Sequence, residues 1–220
     1  MKTKYDITIL ICVHSTNNFY DTLLNKSILS LVNQTYKNFK TIIVLDECWS
    51  KTKEMIDFSN YDLDLTTLIK DKKEGLSYAK NFGLQYIETE WVGFLDGDDL
   101  YLPTKLEQQV NYIKNNDVDF LGTHSWNINS DNDNNLFPSC FNNNDYITHL
   151  EISNKISTEN VLTHGSMLIR TKSISMLGGY QNIIGMEDWD LWKRAINGGC
   201  KFYQIPERLY IYRLNTSVAR

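Results

Sequence analysis

Proline and glycine are sparse in this chain. Three prolines and 11 glycines in 220 residues exclude a collagen-like or linker-type polymer. The four cysteines, Cys12, Cys48, Cys140 and Cys200, never stand at Cys-x-x-Cys spacing, so neither a zinc ribbon nor a dithiol redox pair is expected. That usage suits a reducing compartment, and a cytoplasmic location is the expectation. Basic charge is not in excess: Lys and Arg total 22 against 27 Asp and Glu, a formal net charge of −5. There is no cationic stripe for a polyanion, and nucleic acid is not expected as a partner. No apolar stretch reaches the ~18 residues of a membrane span. The run Ile7 to Val13 is broken by Thr8, preceded by Tyr5-Asp6, and followed by no small-residue cleavage site. It reads as a buried strand rather than a secretory leader. A Gly-Lys-Ser/Thr phosphate loop, a Gly-x-Ser-x-Gly elbow and histidine pairs at helical spacing are also lacking, which removes the simplest NTPase, serine-hydrolase and zinc-hydrolase readings.

What is present suffices for one core. Hydrophobic residues make up 42% of the chain, enough for a single domain of this length. Strand-like and helix-like patterns alternate through the first half. Ile7–Val13, Thr41–Leu45, a weaker Leu63–Ile69 and Trp91–Leu95 read as strands. Between them, Asp21 is expected to cap a helix carrying Leu24, Ile28, Leu31 and Val32, and Gly75 to open one carrying Leu76, Ala79, Gly83 and Tyr86. Pro103 starts a third, with Leu106, Val110 and Ile113 on one face. Later strands are expected near Ser166–Ile169, Lys201–Ile205 and Leu209–Tyr212, and a helix from about Glu187 to the stop signal Gly198-Gly199. The Asn-rich tract Asn127 to Asp145, with eight asparagines, reads as a long mobile surface loop. The alternation implies an α/β sheet, parallel in its first half. In such sheets ligands sit at the carboxyl ends of strands.

Three of those ends are polar. They read Cys12-Val13-His14-Ser15, Asp46-Glu47 and Asp96-Gly97-Asp98-Asp99. Carboxylates two apart after a strand suit a hard cation such as Mg²⁺ or Mn²⁺, and Gly97 lets a ligand or backbone approach. The competing reading is a solvated acidic turn. An EF-hand starting at Asp96 is excluded, because Leu100 and Tyr101 stand where an oxygen ligand and a glycine belong. A phosphatase-like aspartyl nucleophile at Asp96 remains an alternative, although such a motif ordinarily follows the first strand. A second acidic cluster, Glu187-Asp188-Trp189-Asp190-Leu191-Trp192, fits dipole complementarity at a helix start. It also fits a general base whose pKa is raised by the flanking Trp189 and Trp192. Lys80, in the segment Gly75 to Gly83, reads either as an exposed lysine or as a phosphate contact.

Taken in order, these segments resemble family 2 glycosyltransferases of the GT-A fold. The resemblance covers nearly the whole chain: Ile7 to Ser15, Ser27 to Tyr36, Ile43 to Glu47, Gly75 to Gly83, Phe94 to Asp99, Gly178-Gly179-Tyr180 and Glu187 to Trp192. It implies a single α/β, Rossmann-like domain with a mixed, mainly parallel central sheet flanked by helices. Residues from about 1 to 100 would form the nucleotide-sugar half and those from about 101 to 220 the acceptor half. It further implies an inverting transfer from a nucleotide-diphosphate sugar, a UDP-sugar, to a hydroxyl of a glycan, lipid-linked or protein acceptor. Cys12, Val13 and His14 would contact the base, Asp46 and Glu47 its edge, and Lys80 the nucleotide. Asp96 and Gly97 would face the ribose and sugar. Asp98 would ligate Mn²⁺ or Mg²⁺, and Asp188 would be the catalytic base with Glu187 beside it. Cys12 stands where the family usually has proline, His14 where tyrosine is common, Glu47 in place of a frequent aspartate, and Asn215 where a metal-binding histidine often occurs. No further helices or membrane anchor are expected after Arg220. A catalytically silent nucleotide-sugar binder of the same fold is the other alternative.

Overall fold

The computed structural model describes residues 6–13, 18–45, 57–70, 72, 74–129, 132–139 and 147–214; His14, Asp46, Glu47 and Asn215 lie outside them. Strand β1 (Ile7–Val13) is buried on both faces. Ile7, Ile9, Ile11 and Val13 pack against Leu24, Ile28 and Leu31 of helix α1 (Asn18–Val32). Leu10 points the other way, with Ala79 of helix α2 (Leu76–Leu84). This period of two, with both sides covered, explains why the segment reads as an almost unbroken apolar run. Strands β2 (Phe39–Leu45), β3 (Leu65–Ile69) and β4 (Trp91–Phe94) complete a parallel block in the order β3-β2-β1-β4. Helix α2 lies unusually close to it: a Cβ added at Gly83 would fall 2.5 Å from Leu10 Cδ1.

Beyond β4 the sheet becomes mixed. Strand β8 (Leu168–Arg170) runs antiparallel to β4, and β6 (Phe120–Asn129) antiparallel to β8. Strand β9 (Phe202–Leu214) then runs parallel to β6, and the short β5 (Leu100–Tyr101) closes the edge antiparallel to β9. Strand β7 (Asn132–Pro138) pairs with β6. Helix α3 (Lys105–Ile113) covers one face. The shorter α4 (His149–Ile156) and α5 (Thr171–Met176), with α6 (Glu187–Asn197), cover the other. The architecture is the expected α/β one with a mixed sheet and flanking helices. No helix among the described residues is long and apolar enough to cross a membrane.

Several expectations change. Strand β3 begins only at Leu65, and α2 ends at Leu84, leaving Tyr86 beyond it and exposed. Helix α1 starts at Asn18, so Asp21 lies in its first turn rather than capping it. The Asn-rich tract is not simply a loop: its first residues end β6, and β7 follows as a paired strand. Cross-strand pairing there overrides the weak β propensity of asparagine. Lys201–Ile205 and Leu209–Tyr212 belong to one strand, β9, which passes through Pro206 where the β6 pairing shifts register. Irregular pairing of this kind is where a sheet tolerates proline. Finally, β8 begins only at Leu168, because His164–Ser166 form a 3₁₀ turn.

Candidate active site

The carboxyl ends of β1 and β4 lie side by side. Leu95 N–H donates to the Leu10 carbonyl at 3.1 Å, carrying the chain into a turn in which Asp99 N–H donates to the Asp96 carbonyl at 3.1 Å. Gly97 is buried against Val13 and Leu24. Cys12 and Asp96 are half-buried, whereas Asp98 and Asp99 are buried.

Three adjacent acids here have different surroundings. The Asp99 carboxylate turns fully inward: Tyr210 Oη donates to Oδ2 at 2.6 Å and the Arg213 backbone N–H to Oδ1 at 2.6 Å. Its carbonyl accepts from Ser27 Oγ of α1 at 2.7 Å. Buried Arg213 donates from Nε to the Asp98 carbonyl at 2.9 Å. The acidic turn is therefore tied to the distal end of β9 through the groups around Asp98 and Asp99. Burial, followed by the charges of Asp99 and Asp96, pushes the Tyr210 hydroxyl well above its ordinary range, so it remains a donor. Gly165 makes room for this tyrosine, since any Cβ there would overlap its hydroxyl. The His164-Gly165-Ser166 segment is thus buried packing rather than an exposed surface.

The second acidic cluster opens α6. Glu187 is buried and forms an ion pair with Lys80 of α2, Nζ to Oε1 2.9 Å, with side-chain exposures of 11% and 4%. The ammonium expected near a phosphate is thus held by a carboxylate 107 positions along the chain, and it also lies 5.0 Å from the centroid of the Tyr180 ring. Asp188 is half-buried; its Oδ1 accepts the Trp189 N–H at 2.6 Å and its Oδ2 accepts Asn160 Nδ2 at 3.0 Å. Burial raises its pKa, the nearby Lys80 opposes that rise and Glu187 reinforces it. The two tryptophans do not flank the carboxylate symmetrically. Trp192 is in the core against Phe120, and Trp189 donates from Nε1 to the Ile156 carbonyl of α4 at 2.6 Å.

Between the clusters stands Tyr180. Gly178 and Gly179 before it have φ of +74° and +72°, a conformation in which glycine carries no steric penalty. A side chain at Gly179 would also collide with Asn81. Asn81 grips the Tyr180 backbone at both ends, Nδ2 to O 2.8 Å and N to Oδ1 2.8 Å. The Tyr180 hydroxyl lies 2.7 Å from His164 Nε2. It is pushed well up by burial, then by the charges of Asp188, Cys12, Glu187 and Asp96. Charges from β1, the turn after β4, and α6 therefore all act on this hydroxyl. The individual residue types did not single out Tyr180, Asn81, Asn160, Tyr210 or Arg213, and Asp99 was read only as part of the acidic turn. The Gly-Gly-Tyr segment and the Asn beside Lys80 carried a signal.

Residues 8–178 match the sequence model of glycosyl transferase family 2. An uncharacterized glycosyltransferase of Methanocaldococcus jannaschii is 31% identical over 217 residues, 97% of this chain and 73% of its own length. The O-antigen biosynthesis glycosyltransferase WbnJ of Escherichia coli is 28% identical over 95% of this chain and 80% of its own. The fold superposes on S. aureus TarS, solved with UDP-GlcNAc, with a TM-score of 0.76 at 16% identity, covering 100% of this chain and 62% of that one. It also superposes on the mannosyltransferase PcManGT of Pyrobaculum calidifontis, solved with GDP-Man and Mn²⁺, with a TM-score of 0.67 at 15% identity, covering 97% and 58%. The chain thus spans about three fifths of the length of these structural neighbours.

Proposed function

The chain belongs to glycosyl transferase family 2, and on that premise we propose that it transfers a sugar from a UDP-sugar to an acceptor hydroxyl with inversion, using Asp188 as general base. The observation that carries this reading is the buried Lys80–Glu187 ion pair beside the Tyr180 ring, with the Asp188 carboxylate next to it at the start of α6. The neighbour solved with UDP-GlcNAc supports a nucleotide-sugar donor. In this reading residues from about 1 to 100 hold the donor, with Cys12, Val13, His14, Asp46 and Glu47 around the base and Asp96 and Gly97 beside the ribose and sugar. Residues from about 101 to 220 receive the acceptor, a glycan, a lipid-linked sugar or a protein, in the cytoplasm.

The acid turn fits a divalent cation by the chemistry of its donors. Asp96 and Asp98 offer hard carboxylate oxygens, while Asp99 is occupied by Tyr210 and Arg213. Among the described residues no three His, Cys, Asp or Glu side chains cluster to hold a metal alone. In this reading Asp98 would hold Mn²⁺ or Mg²⁺, and such an ion would supply stabilisation of the charge developing on the departing diphosphate. Asp188 takes the proton of the acceptor hydroxyl as its oxygen bonds to the anomeric carbon and the old glycosidic bonding pair leaves with the diphosphate. Its raised pKa keeps it a better base than a surface aspartate. Lys80, paired with Glu187, limits the rise in the Asp188 pKa.

The test is a panel of sugar nucleotides with Mn²⁺, following release of the nucleotide diphosphate. Asp188→Asn is expected to lower turnover by about 10²–10⁴-fold while donor affinity stays within about twofold of wild type. Turnover by Asp188→Asn at the wild-type rate would remove the base assignment, and absence of release from any donor would remove the reading.

A further inference from the structure

Asp188 is held from two directions. Its Oδ1 takes the backbone N–H of Trp189 at the start of α6, and its Oδ2 takes the side-chain amide of Asn160. Asn160 comes from another element, the segment that follows α4. Its neighbours Val161 and Leu162 are buried in the core, and Trp189 Nε1 ties α6 back to the last residue of α4. The orientation of the amide is chemically determined. Its Oδ1 accepts the Leu162 N–H at 3.3 Å, and a flipped amide would set two oxygens against each other.

We infer that Asn160 is a positioning residue for the Asp188 carboxylate, locking its rotation so that the remaining lone pairs face the acceptor hydroxyl. This rests on the reading of Asp188 as the base. An ionised carboxylate has about four lone-pair sites; Trp189 and Asn160 fill two in fixed directions, and the proton is received at the others. The charged groups around it are Lys80 of α2 and Glu187 of α6, with the Tyr180 hydroxyl, itself bound to His164, in the same field. Against burial, the Asn160 hydrogen bond favours the ionised form.

The test needs no substrate. In protein labelled with ¹³C at aspartate carboxyls, the Asp188 resonance is assigned by its loss in Asp188→Asn and titrated. Asn160→Ala is expected to raise its midpoint by on the order of one pH unit, the size of a hydrogen bond to a charged group. The isosteric Asn160→Asp, which keeps the shape if alanine unfolds the site, is expected to raise it further by like-charge repulsion. In turnover, the acid limb of the pH–rate profile moves up by the same amount at unchanged donor KM. An unmoved midpoint in a folded Asn160 variant overturns the inference even if Asp188→Asn is inactive. A moved midpoint with an active Asp188→Asn overturns the base reading instead.

Discussion

The acid turn after β4 and the acid cluster that opens α6 solve the same problem in the same way. Each sets carboxylates next to one another in sequence, and in each one acid is turned inward as an anchor. Asp99 is held by Tyr210 and Arg213 of β9, and Glu187 by Lys80 of α2. Asp96 and Asp188 are half-buried and their charges act on the Tyr180 hydroxyl, while Asp98, next to Asp99, is buried. The described partners differ: a hydroxyl and a backbone N–H donate to Asp99, and an ammonium to Glu187. An acidic motif therefore mixes fastening residues with residues available for chemistry, and the two roles separate by partner rather than by residue type.

That asymmetry can be broken by substitution, and the largest effect is expected where the anchor is an ion pair. Lys80→Met strands Glu187 as a buried charge and is expected to cost about 3–5 kcal/mol, measured as a shift in the urea midpoint. A loss below that of Asp188→Asn would contradict the anchoring role of the pair. Next comes Asp99. Asp99→Asn keeps the shape but replaces charge-assisted hydrogen bonds, so about 1.5–3 kcal/mol is expected, read by chemical denaturation. Asp96→Asn should cost much less, and equal losses at the two positions would erase the distinction between inward and outward acids.

The smallest effect is a pH dependence. Burial, helped by the charge of Lys80, holds the His164 imidazole well below its ordinary 6.5. The folded protein keeps it neutral, while the unfolded chain protonates it below that value. Its contribution to stability is therefore complete above about pH 6.5 and is lost as pH falls beneath it, by up to about 1.4 kcal/mol per pH unit. Denaturation at pH 7.5 and 5.5 is expected to show this slope, and His164→Gln to flatten it. Equal slopes in the two proteins would mean that His164 does not govern it.

Legibility in the sequence follows the same division. The parallel half was readable because a strand buried on both faces, such as β1, must be apolar throughout, and because α2 and α3 carry their core residues at helical spacing. The distal half was less so. Strand β7 lies in an Asn-rich segment whose composition argues for a loop, and β9 runs through a proline; both owe their form to pairing with β6. At the site, residue type and position after a strand pointed to the carboxylates but not to Tyr180 or Asn160, whose side chains are common in ordinary cores and loops.

By itself the sequence determined the element types of the first half, the acidic strand ends and the family they resemble, because hydrophobic periodicity and turn chemistry are local properties. Tertiary structure alone decided which acid in each cluster turns inward. The deciding partners lie far along the chain, Lys80 from Glu187 by 107 positions and Asp99 from Tyr210 by 111. Neighbouring carboxylates are chemically alike until folding brings one of them a buried donor.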